Sequence, residues 1–554
     1  MDSPTNSISE ASQARAAERA RVDAESANEH RQQLLMASLQ ELSLDDVPNN
    51  ARVVVPPTTH LTSKNFNSSS STIHVTSNDL VVIQQSSKEA WFTLTSGKQI
   101  CRFFYDAGSD NLVLQNLGQG AIDLSSIGSG DNKTTFEVTT VHHRETVVIT
   151  PGPWRIWSAS AVPEILVEFL LLRRRYGLTR HHEMPSRAGL KRKDLSTTEL
   201  SSKRRAITHG NSDRNILLLN HPNQEQTLSD GTKTVNVGNP LIELELGTKL
   251  SIEAHRVESD TAAIIQETTE NYSVVNLRDI ARSNGTASVF HAEHSSLGDI
   301  VVKVVTKLSE PASIPRIAQG WLNEVRCMRT LDHPSIIKFY GSDARLFCIY
   351  MEYVPYSDLA ALNWRDGNGY FNGNSRDASC IVGNVASAIE YLHGKGMIHN
   401  DIKPANILYD RERGPVLIDF GLQTEFHDRP CIGGTPWYVA PEVLSKKSRG
   451  PESDIFALGI VALYLLRKIT LPEQTKSHPS WRISDIHKDP KHMNLWLEYI
   501  VGLQHNLAPT GLESIVKGAL IVLPHARISA QDIIARHRAL LLPLHYFGAR
   551  SSQA

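Results

Sequence analysis

Residues 398–421, IHNDIKPANILYDRERGPVLIDFG, hold two carboxylates, a lysine and an asparagine at spacings that phosphoryl transfer can use. That chemistry needs one carboxylate to orient the attacking hydroxyl and another to hold metal. It also needs a cation near the transferring group, whose charge spreads over its oxygens in the transition state. Asp401, Asp419 and Lys403 fit those three tasks, and Asn406 adds a neutral oxygen for a second metal ion. Several residue types at fixed offsets make a far more specific signal than one short motif. The plainer reading, a polar loop between two strands, does not ask for that combination.

The segment resembles the catalytic and metal-binding loops of the eukaryotic protein kinases, and the resemblance runs from about Tyr272 to about Leu541. Lys403-Pro404, and Thr435 in Gly433–Tyr438, resemble the serine/threonine branch. The resemblance implies a bilobal kinase domain over 271–542 that uses ATP and Mg2+ to phosphorylate serine or threonine on protein substrates. Asp401 would orient the substrate hydroxyl, Lys403 would neutralise developing charge, and Asn406 and Asp419 would hold magnesium. Lys303, in the apolar strand Ile300–Val305, would pair with phosphates and with Glu324 on the helical run Trp321–Arg326, because a buried lysine needs a counter-charge. Met351 would back the adenine pocket, the Glu352 carbonyl and the Val354 backbone would bond the base, and Val289, Val301 and Leu408 would enclose it. Asp358 stands where the family reaches the ribose. Ala440-Pro441-Glu442 and Thr435 resemble the substrate-docking end of the activation segment; Glu442 calls for an arginine, which Arg527 supplies, and Asp454 would brace the catalytic loop.

The family pattern is broken at two places. In the loop that should cover the phosphates, Arg282, Asn284 and Ala287 stand where three glycines are expected, with Gly285 one position out of register. Side chains there would intrude on a backbone that must approach phosphate closely. The second is Asn400, where the family has an arginine. A guanidinium pairs bidentately with phosphate and an amide does not, and residues 422–432 offer only Thr424 as an acceptor. Activation is therefore expected not to depend on phosphorylation of this segment. Both departures also feed the alternative reading, a pseudokinase or phosphopeptide-binding scaffold without phosphotransfer.

These residues must be positioned by a multidomain α+β chain. With 554 residues there is room for several domains. The net charge of −2 gives no global pull toward nucleic acid or membrane, and five scattered cysteines without a CxxC pair suggest neither zinc nor a disulfide framework. No apolar run is long enough for a membrane span. Residues 1–72 read as a helical or disordered tail, with Leu34, Leu35, Leu39 and Leu42 on one helix face, followed by a linker. Short β-type runs punctuated by Gly, Ser and Asp over 73–176 predict a β-sandwich with interaction duty. It is weakly similar to forkhead-associated (FHA) sandwiches through Asp110–Asn116 and Pro151–Ile156, without that family's Gly-Arg and Ser-x-x-His elements; were it to bind phosphate, Arg102 and Arg144 are the candidates. A basic linker over 177–211, introduced by Arg173–Arg175, carries Lys191-Arg192 and Lys203–Arg205. These resemble a bipartite import signal for an import receptor, which gives a nuclear or cytoplasmic location; nucleic-acid binding is not expected. Residues 212–270 read as a β extension, with Leu241–Ile252 alternating like a half-buried strand, and 543–554 as a tail.

Overall fold

Alternating apolar residues do build a sandwich, but one of its interior strands comes from further upstream than the alternation suggests. The structure, a computed structural model, describes residues 47–541 except 58–62, 68–72, 77–79, 127–137, 161–162, 183–238, 255–270, 283–286, 306–310, 427–432, 447–448 and the single residues 49, 175 and 476. The expected N-terminal helix and both basic clusters lie outside the described residues. The chain forms two compact bodies: residues up to Gln319 with the loop Ser342–Cys348, and Gly320–Gly341 with the chain from Ile349 onward.

In the first body, twelve strands make the sandwich: β1 Ala51–Val55, β2 Phe66–Asn67, β3 Ile73–Val75, β4 Val81–Gln84, β5 Trp91–Ser96, β6 Gln99–Tyr105, β7 Leu112–Asn116, β8 Ile122–Ser126, β9 Thr139–Val141, β10 Thr146–Ile149, β11 Gly152–Ser158 and β12 Ile165–Leu171. They pair in two sheets, ordered β3-β4-β1-β12-β11-β8-β9 and β10-β7-β6-β5-β2. The inward residues include Phe92, Leu94, Phe103, Tyr105, Leu112, Leu114, Ile156, Val167 and Phe169. Phe92 stacks on Phe103 with centroids 4.7 Å apart, and Phe169 meets Phe103 edge-on. The expected boundary at 73 is corrected: β1 sits between β4 and β12 with all five residues buried. Its Val53-Val54-Val55 run does not alternate because it is covered on both sides, so period-two patterning could not flag it.

The expected linker at 177–211 is also corrected at its start, where Tyr176–His182 form a strand, and Arg174, which read as introducing it, is built into the sandwich. Arg174 is buried, its Nε donating to Asp110 Oδ1 at 3.0 Å and its Nη1 to the Ala107 carbonyl at 2.9 Å. It belongs to the sandwich, where an unpaired guanidinium would be costly. Residues Tyr176–His182 form β13, paired antiparallel with β14, Thr248–Ala254. The β extension begins at Thr248; Leu241 and Leu244 are buried from a turn before it.

β14 continues to β15 (Tyr272–Arg282), β16 (Ala287–His294) and β17 (Gly298–Val305), all antiparallel. In β16 and β17 burial alternates, so Val289, Val301 and Lys303 share the less buried face, with Val289 directly opposite Lys303. On the same body the loop Ser342–Cys348 is held from several sides. Ala344 N–H donates to the Ser87 carbonyl of the sandwich at 2.7 Å, Asn239 Nδ2 to the Leu346 carbonyl at 2.6 Å, Val305 N–H to the Phe347 carbonyl at 3.0 Å, and the Tyr272 hydroxyl to Asp343 at 2.7 Å.

Tyr272 also stacks on the buried His294 ring, centroids 4.7 Å apart. Burial pulls the imidazole pKa down from 6.5 to about 4, and Nδ1 accepts the Ser296 and Leu297 amides, which a protonated nitrogen could not do. The unfolded chain therefore binds more protons below pH 6.5, and stability falls as pH drops from there toward 4. Thermal melts at pH 7 and 4.5 should show a loss of about 2 kcal/mol from this group. His294→Asn, which keeps an acceptor but cannot titrate, should remove that part of the pH slope; an unchanged slope would contradict the assignment.

The second body is mainly helical. It takes up the end of α1 (Ile314–Arg329) and contains α2 (Ser375–Gly394), α3 (Glu442–Lys446), α4 (Pro451–Leu465), α5 (Lys491–His505), α6 (Gly511–Ala519) and α7 (Ala530–Leu541). α2 starts with a reciprocal cap: the Asn374 side chain accepts the Arg376 and Asp377 amides, and Asp377 accepts the Asn374 amide. α4 is apolar on all sides because residues Ser453–Leu465 are all buried. No helix among the described residues is long and apolar enough to cross a membrane.

Candidate active site

The site begins where β20 (Met397–Ile398) stops against β23 (Thr424–Glu425), with Ile398 opposite Thr424. The chain then turns through His399–Asn406 into a hairpin, β21 (Ile407–Asp410) and β22 (Gly414–Leu417). Such a turn exposes backbone amides inside the protein, and they must be satisfied. Asp454, at the start of α4, accepts both: His399 N–H on Oδ2 and Asn400 N–H on Oδ1, each at 2.9 Å. His393 Nε2 lies 3.0 Å from the same carboxylate. Burial alone would raise the Asp454 carboxyl, and the bonds from His393 and the His399 backbone outweigh it, so its pKa lies below the ordinary value. His399 is fully buried, with its ring against Phe420, centroids 5.0 Å apart.

On this support four of the expected residues meet. Lys403 Nζ donates to Asp401 Oδ2 at 2.7 Å and to Thr435 Oγ1 at 2.8 Å; Thr435 Oγ1 donates to Asp401 Oδ1 at 2.8 Å. Asn406 Nδ2 donates to the Asp401 carbonyl at 2.8 Å and to its Oδ2 at 3.0 Å. Asp401 is 7% exposed, so its carboxylate is oriented by protein donors rather than by bulk water. Ile418 N–H donates to the Asn406 carbonyl at 2.9 Å, which brings Asp419 alongside. Asp419 is exposed and left-handed, φ 66°, a conformation that a non-glycine residue holds only when its surroundings enforce it.

The other expected residues are spread over both bodies. Lys303 is half-buried at the centre of β17, in the first body, and Glu324 is 4% exposed on α1, in the second. Met351 and Val354 are buried, and Glu352, Asp358 and Leu408 are half-buried. Glu352 and Met351 end β19 (Cys348–Glu352), which comes after β18 (Phe339–Asp343). Burial raises the Asp358 carboxyl pKa against the Ala360 amide that bonds it. Of the glycine-loop positions, Asn284 and Gly285 lie outside the described residues. Arg102 lies over the Trp91 ring at 5.3 Å, and Arg144 is exposed in a left-handed turn, φ 69°.

Asn400 makes a connection that its residue type did not announce. From a left-handed backbone, φ 67°, its Nδ2 donates to the Leu422 carbonyl at 3.0 Å and to Thr424 Oγ1 at 2.9 Å. The sole acceptor residue expected in 422–432 is thus tied directly to the catalytic loop. Farther along, Glu442 meets Arg527 in a two-pronged pair, both distances 3.0 Å. Two further contacts were not foreseen. The Tyr438 hydroxyl donates to Glu473 at 3.1 Å, and burial raises the Glu473 carboxyl. Arg449 reaches backbone carbonyls on both sides of the site. Nothing in its polar surroundings, Ser445–Gly450, marks it; the adjacent glycines 433 and 434 hint only at a close approach.

A carboxylate, a lysine and an asparagine thus share one buried turn of the second body, and comparison with known families bears on the same residues. A model of the protein kinase domain matches residues 283–537, so the chain carries a protein kinase domain there. Similar proteins include the cAMP-dependent protein kinase catalytic subunit PRKX of Mus musculus, 37% identical over 147 residues, 26% of this chain and 40% of that protein. Calcium/calmodulin-dependent protein kinase type 1 is 34% identical over 152 residues in Macrobrachium nipponense, 26% of this chain and 43% of the relative. In Caenorhabditis briggsae the same kinase is 29% identical over 219 residues, 38% of this chain and 59% of the relative. The chain thus spans about half the length of these relatives.

Proposed function

We propose that the chain is an ATP- and magnesium-dependent kinase that phosphorylates serine or threonine on protein substrates. The observation that carries this reading is the closed set of Asp401, Lys403, Asn406 and Thr435, in which a serine/threonine-type hydroxyl already donates to Asp401 at 2.8 Å. An incoming substrate hydroxyl would make the same kind of bond, which orients its oxygen for attack on the phosphoryl group. Lys403, held against Asp401, offers positive charge where transferring oxygens gain negative charge. Asn406 and Asp419 offer one neutral and one anionic oxygen. These are hard ligands of the kind magnesium takes, few enough for substrate phosphates to complete the shell. Bound there, the ion would neutralise phosphate charge. Val289, Val301 and Lys303 offer a nucleotide face on the small lobe, and Met351, Glu352, Val354 and Asp358 offer the hinge and ribose groups. The sandwich serves as an interaction domain.

Asn400 supplies the regulatory part of the reading. A direct amide bond to Leu422 and Thr424 does the holding that an arginine–phosphate pair would otherwise do. Radiolabel transfer from ATP with magnesium to a basic protein tests both parts, alongside the melting-temperature shift that nucleotide must produce if it binds the folded chain. Transfer should appear and survive prior phosphatase treatment. Absence of both transfer and shift would overturn the kinase reading in favour of a scaffold. Transfer abolished by phosphatase and restored by phosphate on 422–432 would overturn the independence from phosphorylation.

A further inference from the structure

Arg449 lies between α3 and α4, outside every motif that the sequence offers for catalysis. Its Nη1 donates to the Asn400 carbonyl at 3.1 Å, and its Nη2 donates to the Gly433 carbonyl. Those two carbonyls flank the chemistry. Asn400 immediately precedes Asp401, and Gly433 stands two residues before Thr435, whose hydroxyl bonds Asp401 and Lys403. One planar guanidinium thus joins the loop that carries the carboxylate to the segment that carries the hydroxyl. The fixed fork of arginine reaches the two carbonyls with separate nitrogens, whereas lysine has one ammonium nitrogen for both.

Two further observations bear on the same point. Gly434 is left-handed, φ 118°, and a Cβ there would come within 3.2 Å of Arg449 Nη1 and 3.3 Å of the Asn400 carbonyl. The backbone therefore approaches the guanidinium as closely as only glycine allows. Arg449, Asn400, Thr435 and Asp454 also line one small hollow, and the remaining Arg449 Nε and Asn400 Oδ1 are buried without protein partners. The site departs from its family by lacking an arginine at 400, and it holds an arginine that arrives from elsewhere at the backbone of that same residue.

We propose that Arg449 is a positioning residue that fixes the separation of Asp401 and Thr435, so that the segment 433–435 is kept in register with the catalytic loop without phosphate. This rests on the kinase reading for its effect on rate, though not for its effect on structure. Arg449→Met and Arg449→Lys in the full chain test it with two readouts. Steady-state kinetics should show kcat lowered about 10²-fold in Arg449→Met, the scale of a misplacement of about 1 Å, with KM for ATP unchanged and Arg449→Lys intermediate. Amide hydrogen exchange should show 433–435 exchanging at least about tenfold faster in Arg449→Met, from the lost charge-assisted bonds, with α2 and α4 unchanged. Wild-type kcat retained in Arg449→Met, or exchange faster throughout the second body, would overturn the proposal. Should wild type transfer no phosphate, the kinase reading fails; unchanged exchange at 433–435 would then separately refute the bridge, and local acceleration there would support it.

Discussion

Asp401→Ala should lower phosphate transfer by about 10³-fold, within the range a positioned acid–base group supplies, while the chain still melts at a higher temperature with ATP and magnesium. The carboxylate carries three bonds from side chains, two on Oδ2 and one on Oδ1. Its removal leaves Lys403 and Thr435 without their common acceptor and an incoming hydroxyl without an orienting partner. Because Asp401 touches the hydroxyl side of the reaction, nucleotide binding should remain. Lys303→Met is the complementary case. Lys303 lies on the β16–β17 face beside Val289 and Val301, so its loss should abolish transfer together with the nucleotide-induced shift in melting temperature. Transfer persisting in Asp401→Ala would remove that residue from the chemistry. A nucleotide shift persisting undiminished in Lys303→Met would place the phosphates elsewhere.

The second large effect concerns stability. Arg527 and Glu442 are almost completely buried, with side-chain exposures of 0% and 5%. Every donor of the guanidinium is used: besides Glu442, it reaches the carbonyls of Glu452, Ile521 and Val522, and it lies 5.1 Å from the centre of the Phe456 ring. Ser453 also donates to Glu442. Arg527→Met therefore strands a buried carboxylate and should destabilise the second body by about 3–5 kcal/mol, lowering its melting temperature by roughly 10 °C. Replacing both partners, Arg527→Met with Glu442→Leu, should cost less than the sum of the single changes, because no uncompensated charge is left. Strict additivity in that double-mutant cycle would show that the pair does not act as a unit.

Legibility tracked the range over which each residue finds its partner. Asp401, Lys403 and Asn406 act within six residues of one another, so their types and spacing were enough to bring them together on paper. Asp454 and Arg527 were reachable because they too stand in recognisable surroundings. Arg174 read as the opening of a basic linker, and its partner Asp110 lies 64 residues away. β1 read as part of a tail because a strand covered on both sides carries no alternation. Leu241 and Leu244 suggested a strand, yet they are buried from a turn, where spacing no longer reports a face. Arg449 was invisible for another reason. It bonds backbone carbonyls, and a carbonyl leaves no trace in residue type.

The matched segment starts at residue 283, just beyond the end of β15 at Arg282. A fragment cut to the family boundary would leave β16 as a bare edge, its amides and carbonyls stripped of the partners that β15 gives them. Unpaired edges of that kind recruit other chains and aggregate. Loop Ser342–Cys348 would lose Ser87, Asn239 and Tyr272 in the same cut. The unit that evolution shares among relatives is thus smaller than the unit that folds here. In this chain the sandwich and the small lobe have become joint owners of one surface, to be inherited, expressed and purified together.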